Sequence, residues 1–263
     1  MIETLGAIGL THRYPRPRRF TVESSAPALD DVSFQITRGE TVGVVGRSGS
    51  GKSTLLTTLL ALARPDAGRV FLGERDVRPG SARSLRWYRR RVQYVPQDPA
   101  ASLDPRMTVA QSVGEPLRRL GIAGDHRALI IAALDDVGLA AAVSDSRPRE
   151  LSGGQAQRVA IARSIVTSPD FLLADEPISG LDLPMRNRVI GLLAGLAAHR
   201  SLGLVFVSHD LDAVARLCRR SVVLANGQIV EEGETGRLLG APEHPATREL
   251  VDAIPRLPER PTP

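Results

Sequence analysis

Residues 46 to 54 read Gly-Arg-Ser-Gly-Ser-Gly-Lys-Ser-Thr, and Lys52 is the only lysine among the 34 basic residues of this 263-residue chain. Every other basic residue is arginine, so the ammonium is kept for one place. The segment fits the phosphate-loop pattern G-x-x-x-x-G-K-[ST], with Gly46, Gly51, Lys52 and Ser53 in register. Without side chains at Gly46, Gly49 and Gly51, backbone N–H groups can curl around a polyphosphate, and a helix starting near Lys52 adds its positive end. A compact ammonium then reaches the β/γ-phosphates, where a forked planar guanidinium fits poorly. The candidate nucleotide contacts are Gly46, Ser48, Gly49, Ser50, Gly51, Lys52, Ser53 and Thr54.

A Gly/Ser turn with a chance lysine would have the same composition, so context has to decide. The loop follows an apolar run, Thr41-Val42-Gly43-Val44-Val45, that reads as a buried strand, and precedes Leu55-Leu56 and Leu59-Leu60 at helical spacing. Strand, loop and helix stand in the order the motif requires. A second apolar strand, Phe171-Leu172-Leu173-Ala174, ends in Asp175-Glu176. The first carboxylate can hold Mg²⁺ through water and the second can polarise an attacking water. Acidic pairs at strand ends are common, and this one gains meaning from the phosphate loop upstream. Leu151-Ser152-Gly153-Gly154-Gln155 precedes a helical stretch, Ala156 to Ile165. It reads either as a helix N-cap with a glycine pair or as a second anion site at a helix N-terminus.

The elements that must position these groups follow from patterning. Residues 1 to about 45 read as several strands, including Ala7-Ile8-Gly9-Leu10 and Val32-Ser33-Phe34-Gln35-Ile36, interrupted by a Pro/Arg-rich insert from Pro15 to Pro27. Asp98 to about Arg149 is helical and turn-rich, as an inserted lobe would be. Strand–helix alternation then resumes: Asp170 to Ala174, helix Pro184 to His199, strand Leu204 to Val207, helix Leu211 to Arg219. Repeated β-α order argues for a mostly parallel sheet with helices packed on it. The tail from Pro255 is proline-rich, which predicts an irregular course, and no internal repeat is present.

Composition removes several classes. With 42% hydrophobic residues the chain can bury a large core, as one large domain or as one domain with an inserted lobe. No apolar stretch approaches the roughly 18 to 20 residues of a membrane span, and Met1-Ile2-Glu3-Thr4 lacks the features of a signal peptide, so a cytoplasmic chain is expected. The one cysteine, Cys218, permits no internal disulfide and no cysteine-rich metal site. Arg16, Arg18, Arg19, Arg86 and Arg89 to Arg91 form basic runs, but aromatics total 3%, which leaves no stacking platform for nucleic acid. Solvated faces, or attraction to anionic lipid near a membrane partner, remain.

The pentapeptide at 151 to 155, the phosphate loop, Gln97, Asp175-Glu176, Ser179-Gly180-Leu181-Asp182 and Ser208-His209-Asp210 occur in the order found in ATP-binding cassette (ABC) ATPases, which the chain resembles over nearly its whole length. The resemblance implies an α/β P-loop NTPase of ABC type. Its parts are a mostly parallel, RecA-like sheet core, an N-terminal antiparallel β region and an inserted helical subdomain. We expect core and β region at about 1–97 and 155–240, the helical subdomain at about 98–154 and a C-terminal tail at about 241–263. By the same resemblance Tyr14 stacks on adenine, Glu176 is the catalytic carboxylate, and His209 contacts the γ-phosphate. Gln97 contacts Mg²⁺ and the attacking water, and Ser53 and Asp175 complete the metal set. Ser152, Gly153, Gly154 and Gln155 meet the partner's ATP, and Asp182 lies at the dimer interface. Gly180 departs from the family's usual alanine, which leaves Asp182 in place and bears only on local rigidity.

Two further segments resemble importer ATPases of the dipeptide/oligopeptide/nickel group: Pro96 to Val109, and His244 to Leu250 followed by Ile254-Pro255. The insert after Tyr14 resembles that of the second ATPase such systems encode. Some members carry an iron–sulfur cluster near the C-terminus, which a single cysteine cannot ligate. The group implies ATP and Mg²⁺ as cofactors and a second cassette subunit, in a homodimer or heterodimer. It further implies membrane permeases, an indirect periplasmic or lipid-anchored substrate-binding protein, and peripheral placement on the cytoplasmic face of the cell membrane. Peptide is the expected cargo, with nickel or a metal chelate as the alternative. A non-transport cassette ATPase is less well matched, lacking zinc cysteines, a coiled-coil insertion or a second cassette, and an enzymatically silent partner is at odds with a complete Glu176 and pentapeptide. Segment Ala100 to Val109 is expected to line a groove for a permease helix.

Lys52→Arg keeps the charge and changes only its shape, so ATP binding, measured by titration calorimetry, is expected to be abolished or strongly weakened. Near-normal affinity would remove the shape argument.

Overall fold

The computed structural model describes residues 3–14 and 26–253. Arg16, Arg18, Arg19, most of the Pro/Arg-rich insert and the segment Ile254-Pro255 lie outside the described residues. The order is β1 (Thr4–His12), β2 (Leu29–Thr37), β3 (Thr41–Val45), α1 (Lys52–Leu59), β4 (Ala67–Leu72), β5 (Arg75–Val77), α2 (Arg86–Arg89) and β6 (Val92–Val95). Next come α3 (Val109–Leu120), α4 (His126–Asp136), two short 3-10 turns (Ala141–Asp145 and Pro148–Glu150) and α5 (Gly153–Ile165). The chain then continues through β7 (Phe171–Asp175), α6 (Leu183–Arg200), β8 (Gly203–Val207), α7 (Leu211–Leu217), β9 (Arg220–Ala225), β10 (Gln228–Glu234), α8 (Thr235–Gly240) and α9 (Pro245–Asp252).

A six-stranded sheet runs β10-β9-β3-β8-β7-β6, and all of its pairings are parallel except the β9–β10 edge. A four-stranded antiparallel sheet, β2-β1-β4-β5, packs beside it. Because successive strand residues face opposite ways, β7 sends Phe171 and Leu173 into the core shared with the antiparallel sheet and α1, and Leu172 and Ala174 into the core beneath the helices. In β8, Val205 and Val207 take the first side, Leu204 and Phe206 the second. Strands buried on both faces read as continuous apolar runs, which is why β3, β7 and β8 were legible. Phe171 and Phe206 are fully buried, each contributing about 1.5–3 kcal/mol. The strand ends that carry the site are therefore held rigidly.

Helices α3, α4 and α5 pack on one another as the inserted lobe. The expected lobe edge at residue 154 falls inside the first turn of α5, which runs unbroken from Gly153 into the sheet's helical layer. Helix α7 ends at Leu217, short of Arg219, because the Arg219 N–H is taken by Thr41 O at 3.2 Å as the chain turns into β9. Among the described residues no helix is long and apolar enough to cross a membrane.

Candidate functional site

Parallel pairing places the carboxyl ends of β3, β8, β7 and β6 side by side, and the loops leaving them build one cleft of about 1080 Å³. From β3 comes the phosphate loop, from β7 Glu176, from β8 His209 and from β6 Gln97, all of which line it. Tyr14, two residues beyond β1, completes one wall, its hydroxyl 3.1 Å from Thr54 Oγ1 and its ring edge-on to His12. Tyr14 is 56% exposed, so much of its surface is available to a ligand.

Inside the loop, Gly51 sits at φ 111°, and a Cβ there would come within 2.5 Å of Ala28 O, so only glycine fits. Lys52 Nζ donates to Gly46 O at 2.7 Å and Arg47 O at 2.9 Å. Burial lowers the Lys52 pKa, opposed by the charges of Glu176 and Asp175. Asp175 moves the other way: burial raises its pKa and the Glu176 charge adds to the shift, while hydrogen bonds from Tyr94 and Ser53 and the Lys52 charge oppose it. The Tyr94 hydroxyl donates to Asp175 at 3.3 Å, and its phenol is pushed up to about 12, chiefly by burial and further by Asp175. Lys52 and Asp175 are thus both shifted toward their neutral forms. An anion at Lys52 and a cation at Asp175 would each favour the charged form.

Glu176 leaves β7 in the left-handed region, φ 44°, with its N–H donated to Val207 O at 2.9 Å. That conformation is costly for a residue bearing a Cβ. It brings the Glu176 carboxylate 3.2 Å from His209 Nδ1, although the two residues belong to different strands. The His209 loop is braced in turn. Asp210 N donates to Ser208 Oγ at 3.0 Å, and the Asp210 carboxylate caps α7 through Ala213 N at 3.0 Å while pairing with Arg186 of α6.

Ser152, Gly153, Gly154, Gln155 and Asp182 do not line this cleft. Ser152 and Gln155 form a reciprocal capping box on α5, and Asp182 caps α6 through Met185 N at 2.8 Å. Gly154 lies so close to Met185 that a Cβ would collide with its side chain, so the starts of α5 and α6 share one surface. Gly180 takes φ 73° with open space around it, so glycine relaxes a turn that would strain alanine.

Sequence reasoning gave no individual role to Arg47, Arg186, Asp210, Leu211, Asp212, Leu250 and Ala253, which also line the cleft. A capping aspartate right after His209 was the available signal for Asp210. Pro245 at the first position of α9 is a local start signal, but nothing in the sequence shows that Leu250 and Ala253, from the far end of the chain, reach the cleft. Within the segment Ala100 to Val109, Ser102 donates to Pro99 O at 2.5 Å and accepts from Arg163 Nη2 at 2.6 Å, so its side chain is engaged, whereas Ala101 is exposed.

A family model described as ABC transporter matches residues 29–179. The chain is 43% identical over 259 residues to a putative peptide import ATP-binding protein of Brucella ovis, covering 97% of this chain and 80% of that one. It is 38% identical over 257 residues to the dipeptide transport ATP-binding protein DppF of Haemophilus influenzae, covering 96% and 78%. Among solved structures it resembles a dimeric ATP-binding cassette in a post-hydrolysis state bound to ADP and Pi, with TM-score 0.75, 28% identity and coverage of 88% and 98%. It also resembles cbiO1 from Clostridium perfringens, part of the ABC transporter complex cbiONQ, with TM-score 0.77, 25% identity and coverage of 92% of both chains.

With its ring exposed at the cleft wall, Tyr14→Ala is expected to weaken ATP binding by roughly 5- to 150-fold, the span of one lost stacking interaction. Tyr14→Phe should keep most of the affinity, because only the Thr54 hydrogen bond goes. Equal losses in both variants, measured by fluorescent-nucleotide titration, would assign the effect to the hydroxyl.

Proposed function

The chain belongs to the ABC transporter family as an ATPase, and from that premise we propose that it is the ATP-hydrolysing subunit of a peptide importer. The observation that carries the reading is the cleft at the carboxyl ends of β3, β8, β7 and β6, where the phosphate loop, Gln97, Glu176, His209 and Tyr14 converge from five separate segments. Peptide is preferred to nickel as cargo because the relatives described above carry peptide-import names.

Tyr14 receives the adenine, and Gly46 to Thr54 wrap the phosphates. Lys52 exchanges its two loop carbonyls for β/γ-phosphate oxygens, whose negative charge favours the ammonium against the effect of burial. Ser53, Asp175 and Gln97 would hold Mg²⁺, which neutralises developing phosphate charge. The fit is chemical. These are hard oxygen donors, and among the described residues no three His, Cys, Asp or Glu side chains gather into a cage. Mg²⁺ suits such a set, since it keeps waters and phosphates as most of its ligands.

Glu176 orients the attacking water and takes up its proton as the water oxygen bonds to the γ-phosphorus and the bond to ADP breaks. His209, 3.2 Å from Glu176, steadies that carboxylate and reaches the γ-phosphate. Ser152 to Gln155 and Asp182, on a separate face, complete the site of a second cassette subunit. ATP binding then favours the closed pair and hydrolysis releases it. The subunit would work at the cytoplasmic face of the membrane, passing this cycle to permeases through the segment after Gln97.

Glu176→Gln should retain ATP binding, lose hydrolysis by orders of magnitude and accumulate an ATP-dependent dimer on size-exclusion chromatography. Wild-type turnover would remove Glu176 from the catalytic role. For the transport reading, Ala101→Cys should crosslink, in an ATP-dependent way, to cysteines in permease cytoplasmic loops. Cys218 is buried with its thiol pushed up to about 12, so it will not compete. Crosslinking from an exposed antiparallel-sheet position such as Glu74→Cys, with none from Ala101→Cys, would misplace the docking surface.

A further inference from the structure

Helix α9 is anchored by its own N-terminus. Glu243 N and His244 N each donate to the Glu231 carboxylate of β10 at 3.0 Å, His244 Nδ1 caps the first turn, and Thr247 is buried. From that anchor the last turns reach the nucleotide cleft, which Leu250 and Ala253 line. Between them and the phosphate loop, Glu249 Oε2 lies 3.0 Å from Nη1 of Arg47. Arg47 is itself a loop residue lining the cleft, and its carbonyl is one of the two that hold Lys52 Nζ.

The charge balance of the cleft is then unexpected for a polyphosphate site. Among the described lining residues, Arg186 is paired with Asp210, Arg47 with Glu249, and Lys52 is held by carbonyls. The Arg47–Glu249 pair is the most open of these, with side chains 76% and 62% exposed, so water and salt weaken it and it exchanges readily. Arg47 lines the same cleft as the phosphate loop, so a phosphate bound there would offer its guanidinium a second anion.

We propose that Arg47 is a further phosphate-binding residue, masked by Glu249, so that the α9 carboxylate and the nucleotide phosphates compete for one guanidinium. This rests on the reading of the cleft as an ATP site. A nucleotide that captures Arg47 releases Glu249 and loosens the end of α9, and by linkage anything that holds α9 away from Arg47 raises nucleotide affinity by the same factor. The C-terminal helix thereby reports on occupancy without touching the catalytic carboxylate.

The test uses the full chain and calorimetric titration with ATP, ADP and AMP. At low ionic strength Glu249→Gln is expected to tighten ATP binding roughly two- to fivefold, the range of an exposed ion pair. The gain should be smaller for ADP, absent for AMP, and lost at about 0.5 M salt. In an Arg47→Gln background the Glu249→Gln change should do nothing. Weakened or unchanged ATP binding by Glu249→Gln, or an equal gain with AMP, overturns the proposal and leaves Glu249 as a structural tie. Failure of the unaltered chain to bind ATP at all would instead overturn the assignment of the cleft.

Discussion

Parallel pairing of β3 with β8, and of β8 with β7, is the constraint on which the rest depends. Parallel neighbours cannot be joined by a tight turn, so each strand is followed by a crossover, and every strand in the run ends at the same edge. Ends brought together in this way come from residues far apart in the chain. Glu176 and His209 meet at 3.2 Å because Asp175 is the register partner of Val207, one strand over. The apolar alternation of β7 and β8, feeding two separate cores, makes that register costly to slip. Chemistry at this edge is thus a by-product of how the interior is filled.

Much of this was legible from residues alone. A phosphate loop can be read because its physical demands are local: bare backbone, one ammonium, a helix start. Strands buried on both faces show themselves as Val/Leu/Phe runs, as in Phe171 to Ala174 and Leu204 to Val207. Edge elements are harder. Strand β10, Gln-Ile-Val-Glu-Glu-Gly-Glu, is half-solvated and polar, so its apolar signal is too thin to mark a strand. Arg186 and Arg47 carry no pattern that separates them from the many other arginines; only the fold sets them in the cleft. Helix α9 is harder still, since the anchor that aims it, Glu231, is a lone carboxylate on an edge strand.

Several site residues serve two purposes at once. Ser152, Asp182 and Asp210 each cap a helix, and a cap is worth about 0.5–2 kcal/mol in itself. The structural and functional readings of such residues are therefore not rivals. A side chain pinned by a capping hydrogen bond has little freedom left to lose when it meets a ligand or a partner subunit, which is what a preorganised contact requires. Ser152 and Asp182 are pinned on a face apart from the cleft, so the role proposed for them needs a second chain to bring that face to a phosphate loop.

The left-handed backbone at Glu176 has a consequence for how this fold can drift over generations. A carboxylate held at φ 44° is destabilising, while glycine or asparagine would occupy the same backbone at less cost. On the catalytic role proposed for Glu176, selection for stability and selection for turnover pull in opposite directions at this one position. A duplicated copy relieved of its catalytic duty can shed the carboxylate and gain stability in one step. Its phosphate loop, its two hydrophobic cores and its helix caps would remain, and so would its capacity to bind a nucleotide it no longer consumes.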